Sequence, residues 1–252
     1  MKKNVLVLGA AGMAGHVISL HLREKGYEVA TLSNRNKLDN NTVQIDVTDK
    51  DNLKKFLDKN EFDYVINCVG MLIKPSEERK DLAVLINSYL PHFLEKYYEK
   101  SDTKIIHLST DCVFSGKNPP YKENSLPDGE LFYDRSKSLG EIINDKDLTF
   151  RMSIIGPDMQ ENGVGLFNWF MTQKGQIFGY AKAVWNGITT IELAKAIESA
   201  IVQDLTGLYQ LVPNENITKL ELLQLFKKVF NKDDVQIQGK NDVVADKTLL
   251  NT

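Results

Sequence analysis

Tyr133 and Lys137 stand four residues apart in the stretch YDRSKSLGE, which reads as the opening of a helix. Residues at i and i+4 share one helix face, with Cβ atoms roughly 5–6 Å apart. A phenol and an ammonium held in this way can act as an acid and the cation that tunes it, because a nearby positive charge favours the phenolate. Hydride delivery to a carbonyl calls for such a pair, since the oxygen needs a proton as its charge grows. A third polar group must hold the carbonyl, and Ser109-Thr110-Asp111 follows the apolar run KIIHL. Tyr-x-x-x-Lys alone arises often by chance. Its weight rests on what precedes it in the chain.

Short β-branched runs alternate with longer amphipathic ones. Strands are expected at 4–9, 28–33, 42–46, 64–69, 104–109 and 148–153, with helices at 13–25, 49–59, 79–100 and 133–144. This alternation predicts βαβ units and an α/β fold, a doubly wound parallel sheet buried on both faces. Asp49 or Asp51 is placed to cap the second helix, and Pro91 to kink or break the third. After residue 153 the pattern loosens into a loop-like IIGPDMQENGVG, a short aromatic helix LFNWFMTQK and an amphipathic helix at 191–202. A strand GLYQLV, a helix opened by the capping-box pair Thr218 and Glu221, and a short strand VQIQ complete the chain.

The first strand runs into GAAGMAG, with Gly9, Gly12 and Gly15 ahead of the first helix and Met13 opening it. Glycines there permit a tight turn and close approach of a pyrophosphate to the helix N-terminus, which predicts a dinucleotide cradle. The second strand ends in Ser33-Asn34-Arg35-Asn36-Lys37, with two cations and no acid. Cations suit a 2′-phosphate where an acid would suit a free hydroxyl, so NADPH is expected over NADH. Asp46 and Val47, at the end of the third strand, are candidates for the adenine side. Cys68, Val69 and Gly70, after the fourth strand, and Ser109, after the fifth, complete the predicted cofactor contacts, together with Tyr133 and Lys137. The chain thus divides into a dinucleotide-binding domain at 1–153, completed by part of 184–204, and a smaller, partly interleaved α/β portion at 154–252.

Composition narrows the rest. The 252 residues are 42% hydrophobic and 26% charged, with a formal net charge of −3, as in an ordinary globular protein with no electrostatic call for nucleic acid. Two cysteines, Cys68 and Cys112, give neither a disulfide framework nor metal spacing. His16, His21, His92 and His107 show no metal or triad order, so no metal is expected. No run approaches the ~20 apolar residues of a membrane span. A cytoplasmic location is the expectation.

GAAGMAG, STDCVFSG and YDRSKSLGE, in this order, resemble the extended short-chain dehydrogenase/reductases of nucleotide-sugar metabolism. The pattern is similar above all to the dTDP-4-dehydrorhamnose reductase group, and VWNGITTIELAKAI resembles the segment where that group returns to its cofactor domain. The resemblance implies a Rossmann domain with a C-terminal substrate domain, and reduction of a 4-keto-6-deoxy nucleotide sugar for surface polysaccharide synthesis. Carried over by position, it implies Thr110, Tyr133 and Lys137 as catalytic, with Tyr133 the proton donor and Thr110 orienting the keto oxygen. Lys137 would hold the nicotinamide ribose and lower the tyrosine pKa. Asp111, Cys112 and Trp185 would touch substrate, and Asn87 a backbone group near the site. Pairing of the 79–100 helix and the Tyr133 helix between two copies would make a homodimer.

Departures from the group are Cys112 in place of a tyrosine, VINCVGMLI in place of an alanine-rich segment, a short stretch from 155 to 185, and a stop at DKTLLNT where a closing segment is expected in the group. Two other readings stand beside the reductase. A related epimerase or dehydratase would retain its NAD, although Cys112 replaces the glutamate of dehydratases. A non-catalytic dinucleotide sensor often lacks the tyrosine or the lysine. Phe167, Trp169, Phe170 and Trp185 could stack on a base or simply form the core of the smaller portion, and Arg151 could reach the cofactor or an internal ion pair.

Overall fold

Alternate residues of each central strand face opposite ways, and both sets are apolar: Val5 and Val7 enter one core, Leu6 and Leu8 the other. Such strands are stable only when helices cover both faces of the sheet. The computed structural model describes residues 2–159, 163 and 165–252. The chain begins with β1 (Asn4–Leu8), α1 (Met13–Glu24), β2 (Glu28–Ser33), β3 (Val43–Gln44), α2 (Lys50–Leu57) and β4 (Tyr64–Asn67). Next come α3 (Ile73–Glu78), α4 (Lys80–Ala83), a π-helical turn (Val84–Tyr89), α5 (Leu90–Tyr98), β5 (Lys104–Leu108), α6 (Phe132–Ser138) and β6 (Leu148–Arg151). The remainder is β7 (Ile154–Ile155), α7 (Leu166–Thr172), β8 (Gly175–Trp185), β9 (Ile188–Thr189), α8 (Thr190–Gln203), β10 (Gly207–Gln210), β11 (Ile217–Thr218), α9 (Lys219–Val229) and β12 (Val235–Asp246).

Seven parallel strands form the main sheet in the order β10-β6-β5-β4-β1-β2-β3. The order reverses between β1 and β4, the kind of position where ligands settle beyond the strand ends. One core joins the sheet to α1 and α8 through Ile18, Leu22, Leu193 and Ile197; the opposite core joins it to α2 and α5 through Leu53, Leu57, Leu90 and Leu94. A second sheet, β11-β8-β12, packs with α7 and α9 around Phe170, Leu222 and Phe226. Gly179 and Gly239 are paired across β8 and β12, and Leu220 of α9 lies against both, which lets the helix close on the sheet.

Several boundaries differ from the sequence reading. The expected 79–100 helix is a composite, and its break lies before Pro91, not at it. Proline has no N–H to give to the Asn87 carbonyl one α-turn back, and the preceding turn widens into the π form. The expected 133–144 helix stops at Ser138 because Gly140 lies directly on the Asn87 carbonyl, leaving no room for a side chain. VQIQ opens a 12-residue strand, β12, whose GKND segment carries no strand signal and whose pairing shifts between Lys240 and Val244. The amphipathic helix at 191–202, the Asp49 cap and the Thr218–Glu221 capping box are all present. The expected loop includes 160–162 and 164, outside the described residues.

Candidate active site

Gly9, with φ +77, ends β1 and turns the chain beneath α1; its N–H donates to the Leu32 carbonyl of β2. Gly12 caps α1 without a side chain, and Met13 is the first helical residue. A Cβ on Gly15 would stand 2.2 Å from the Gly9 carbonyl oxygen. The glycines therefore hold a close strand–helix approach that leaves the first N–H groups of α1 free of a capping side chain, a fit for a pyrophosphate. Gly9 also abuts Cys68 and Val69, placing the cradle at the β1/β4 reversal. The Met13 side chain reaches Gly165, just before α7.

At the end of β2, Arg35 and Lys37 are exposed and form no ion pair among the described residues. Ser33 is turned inward and donates to the Asn36 carbonyl. Asn34 donates to Asp46 at 3.0 Å, and Thr48 contributes its N–H and hydroxyl to the same carboxylate. Burial opposes ionisation of Asp46, but these hydrogen bonds and the Arg35 charge hold its carboxyl below the ordinary value. Asp46 thus spends its oxygens on a local turn, beside the half-buried Val47.

Three elements position Tyr133 and Lys137. Glu77 of α3 caps α6 from outside, accepting the Phe132 N–H at 2.7 Å. Asn87 of the π turn bonds the Met71 N–H at 2.8 Å, the Met71 carbonyl at 3.2 Å and the Ser136 hydroxyl at 3.0 Å, tying the loop after β4 to α6. Ser88 adds a bond to the Ser136 carbonyl. Lys137 is buried and donates to the Leu108 carbonyl at 2.7 Å, with Gly70 beside its ammonium. Burial lowers its pKa to about 8, while the charges of Glu141 and Cys68 pull it upward.

Tyr133 is buried, with the Thr110 hydroxyl close enough to its phenol to act on its ionisation. Burial raises the phenol's pKa, the charges of Cys112, Asp111 and Asp134 add to this, and the Thr110 hydroxyl opposes it. The Lys137 ammonium is turned to the Leu108 carbonyl. Thr110 also accepts the Cys112 N–H and donates to Asp111, which bends the chain into a short 3₁₀ turn at the end of β5. Burial raises the Asp111 and Cys112 pKa values.

Ser109 faces away from this group, its hydroxyl donating to Glu141 at 2.7 Å. Arg151 binds the same carboxylate, so of its two sequence readings the internal ion pair is the one present. Trp185 is 8% exposed, and its indole N–H donates to Ser153. Phe167, Phe170 and Trp185 belong to the core of the smaller portion, while Trp169 is exposed. His107 is fully buried beside Asn67, and the described residues contain no metal-binding cluster and no helix long and apolar enough to cross a membrane. Sequence reasoning missed Asp134, Lys219 and Lys247, which approach Asp111 and Cys112. The two lysines lie more than a hundred residues downstream, with no spacing rule to flag them. The tail beyond β12 straps the loop after Thr110: Tyr121 exchanges backbone bonds with Thr248 and Leu250, and Leu249 packs with Phe114 and Tyr121.

A relative from Haloferax volcanii, named "Probable low-salt glycan biosynthesis reductase Agl14", is 32% identical over 157 residues, 59% of this chain and 52% of its own length. The chain thus spans about half the length of the curated relatives it matches. A hypothetical dTDP-4-dehydrorhamnose reductase from Sulfolobus tokodaii superposes with a TM-score of 0.84 at 27% identity, covering 99% of this chain and 92% of that one. A dTDP-4-dehydrorhamnose reductase from Bacillus anthracis, solved in complex with NADP, shares the fold, with a TM-score of 0.84 at 19% identity, 100% of this chain and 92% of that one. The family model described as RmlD substrate binding domain matches residues 2–245. Along nearly its whole length the chain belongs to the RmlD substrate binding domain family.

Proposed function

We propose that the chain is an NADPH-dependent reductase of the keto group of a 4-keto-6-deoxy nucleotide sugar, serving surface polysaccharide synthesis. The observation that carries this reading is the placement of Thr110, at the end of β5, near the buried Tyr133 phenol, with Lys137 buried on the same helix and the glycine cradle across β4. The names of the Haloferax and Sulfolobus relatives point the same way, and the NADP of the Bacillus structure supports the choice of cofactor.

When bound, the nicotinamide supplies hydride to the carbonyl carbon. The Thr110 hydroxyl orients the keto oxygen, and the Tyr133 phenol gives it a proton as it becomes an alcohol. Loss of that proton leaves a phenolate, which the Lys137 ammonium stabilises from the same helix. Lys137 also holds the nicotinamide ribose, exchanging its Leu108 bond for the sugar hydroxyls. Gly9, Gly12, Met13 and Gly15 bind the pyrophosphate, and Arg35, with Lys37 near it, binds the 2′-phosphate. Val69 and Gly70 flank the cofactor, and Asp111 and Cys112 face the sugar.

The test is NADPH oxidation followed by absorbance against dTDP-, UDP- and GDP-linked 4-keto-6-deoxy sugars, with Tyr133→Phe alongside. Turnover on one sugar, lost in the variant, supports the reductase. NADPH binding without oxidation on any of them refutes it.

A further inference from the structure

Lys219 is the first residue of α9, immediately after its Thr218 cap. Its ammonium lies 4.7 Å from the centroid of the Trp185 ring. That ring is fixed on its other sides: its N–H donates to Ser153 at 2.7 Å, and Gly187 packs directly against it. Ser153 follows Met152, whose carbonyl accepts the Asp111 N–H. A short series of contacts therefore carries Lys219 from the C-terminal lobe to the strand end that bears Thr110 and Asp111.

Among the described residues no carboxylate lies within ion-pairing distance of the Lys219 ammonium, whereas Lys232 and Lys247 each have one. Burial lowers its pKa, and only the more distant Asp111 and Cys112 act in the other direction. Partial burial of an unpaired cation is costly, and the cost is recovered when an anion binds. Lys247 approaches the same place, its charge acting on Asp111 and Cys112 and its Nζ lying 3.9 Å from Asp134. The N-terminus of α9 adds a partial positive charge beside Lys219.

The geometry points to Lys219 as the anchor for the diphosphate of a sugar nucleotide, with Lys247 as a second cation facing it. This rests on the reductase reading for the identity of the ligand. The diphosphate is the strongly anionic group of a neutral-sugar nucleotide, and it leaves the anomeric carbon on the side of the ring away from C4. A keto oxygen placed against Thr110 and Tyr133 therefore sends the phosphates outward from the strand ends, toward the lobe that presents Lys219. Trp185 serves as the platform under the ammonium.

The experiment measures affinity for dTDP and UDP by calorimetry on protein saturated with NADP⁺, which fills the cofactor's own phosphate site. Thymidine and uridine serve as controls without phosphate. Lys219→Met keeps an unbranched side chain at this position and removes the charge; Lys219→Arg keeps the charge. The expected result is a loss of about 10- to 100-fold in diphosphate affinity for the Met variant, the size of one charge-assisted hydrogen bond. The Arg variant should stay within about threefold of wild type, and nucleoside and NADP⁺ affinities should not change. Equal diphosphate binding by wild type and Lys219→Met overturns the assignment, as does absence of diphosphate binding by wild type. If diphosphate binding depends on Lys219 but no keto sugar is reduced, the anion site stands and the reductase reading falls.

Discussion

Arg151 and Glu141 form a two-pronged buried pair, Nε to Oε1 and Nη2 to Oε2, each at 2.8 Å, with both side chains 3% exposed. The Ser109 hydroxyl shares the carboxylate, and Arg151 also donates to the Glu123 carbonyl and lies over the Phe114 ring. The pair thus ties β5, β6 and the loop after Thr110 to the end of the Tyr133 helix. Removing one partner leaves an uncompensated buried charge, which costs about 3–5 kcal/mol. Glu141→Gln should lower stability by about that much in urea unfolding, and Glu141→Leu with Arg151→Met should recover most of it. A loss below about 1 kcal/mol for the single variant would show that the pair bears little of the fold.

Tyr133→Phe removes one hydroxyl from a buried ring and leaves its packing in place. Turnover should drop by about 10²- to 10⁴-fold, the usual contribution of a positioned proton donor. NADPH affinity should hold within about twofold, because Lys137 and the glycines are untouched. Fluorescence titration beside steady-state kinetics separates the two, and a variant that keeps a tenth of its turnover would remove Tyr133 from the proton step.

Lys137 gives a signature in stability against pH for the cofactor-free protein. Its folded-state pKa of about 8 lies below the ordinary 10.5. Below pH 8 both states hold the proton, and the cost of burying the charge is fully present. Between about pH 8 and 10 the unfolded chain still holds a proton that the folded chain has released. Stability should then rise with pH by up to about 1.4 kcal/mol per unit relative to Lys137→Met. Urea unfolding of both proteins at several pH values checks this, and a difference that stays flat from pH 7 to 10 would place the lysine in a more solvated setting.

Arg35 is exposed at the end of β2 without an ion pair among the described residues, next to the Asn34–Asp46 bond. Arg35→Asp should weaken NADPH binding by about 10-fold or more while leaving NADH within about threefold, since only NADPH carries the 2′-phosphate. Comparable losses for both cofactors would put the 2′-phosphate elsewhere.

The alternation of β-branched runs with amphipathic ones was enough to read the doubly wound sheet, because each central strand must be apolar on both faces. The glycine turn and the Tyr133–Lys137 spacing were legible for a related reason: local geometry dictates them. What escaped depends on contacts distant in sequence. The π turn before Pro91 carries the Asn87 carbonyl against Gly140, just past the early end of α6. Neither segment announces the other. The inward turn of Ser109 needed Glu141 and Arg151 to be seen side by side, and Lys219 needed the smaller sheet to deliver Trp185 beneath it.

Strand β10 enters the main sheet beside β6 only after the chain has built β8 of the smaller sheet, and α8 covers α1 on the way. A cut at residue 153 would therefore expose the edge of β6 and strip α1 of its cover, so neither half is a separable module. Melting of the two lobes should be one cooperative event, and a ligand held on one should delay the unravelling of the other.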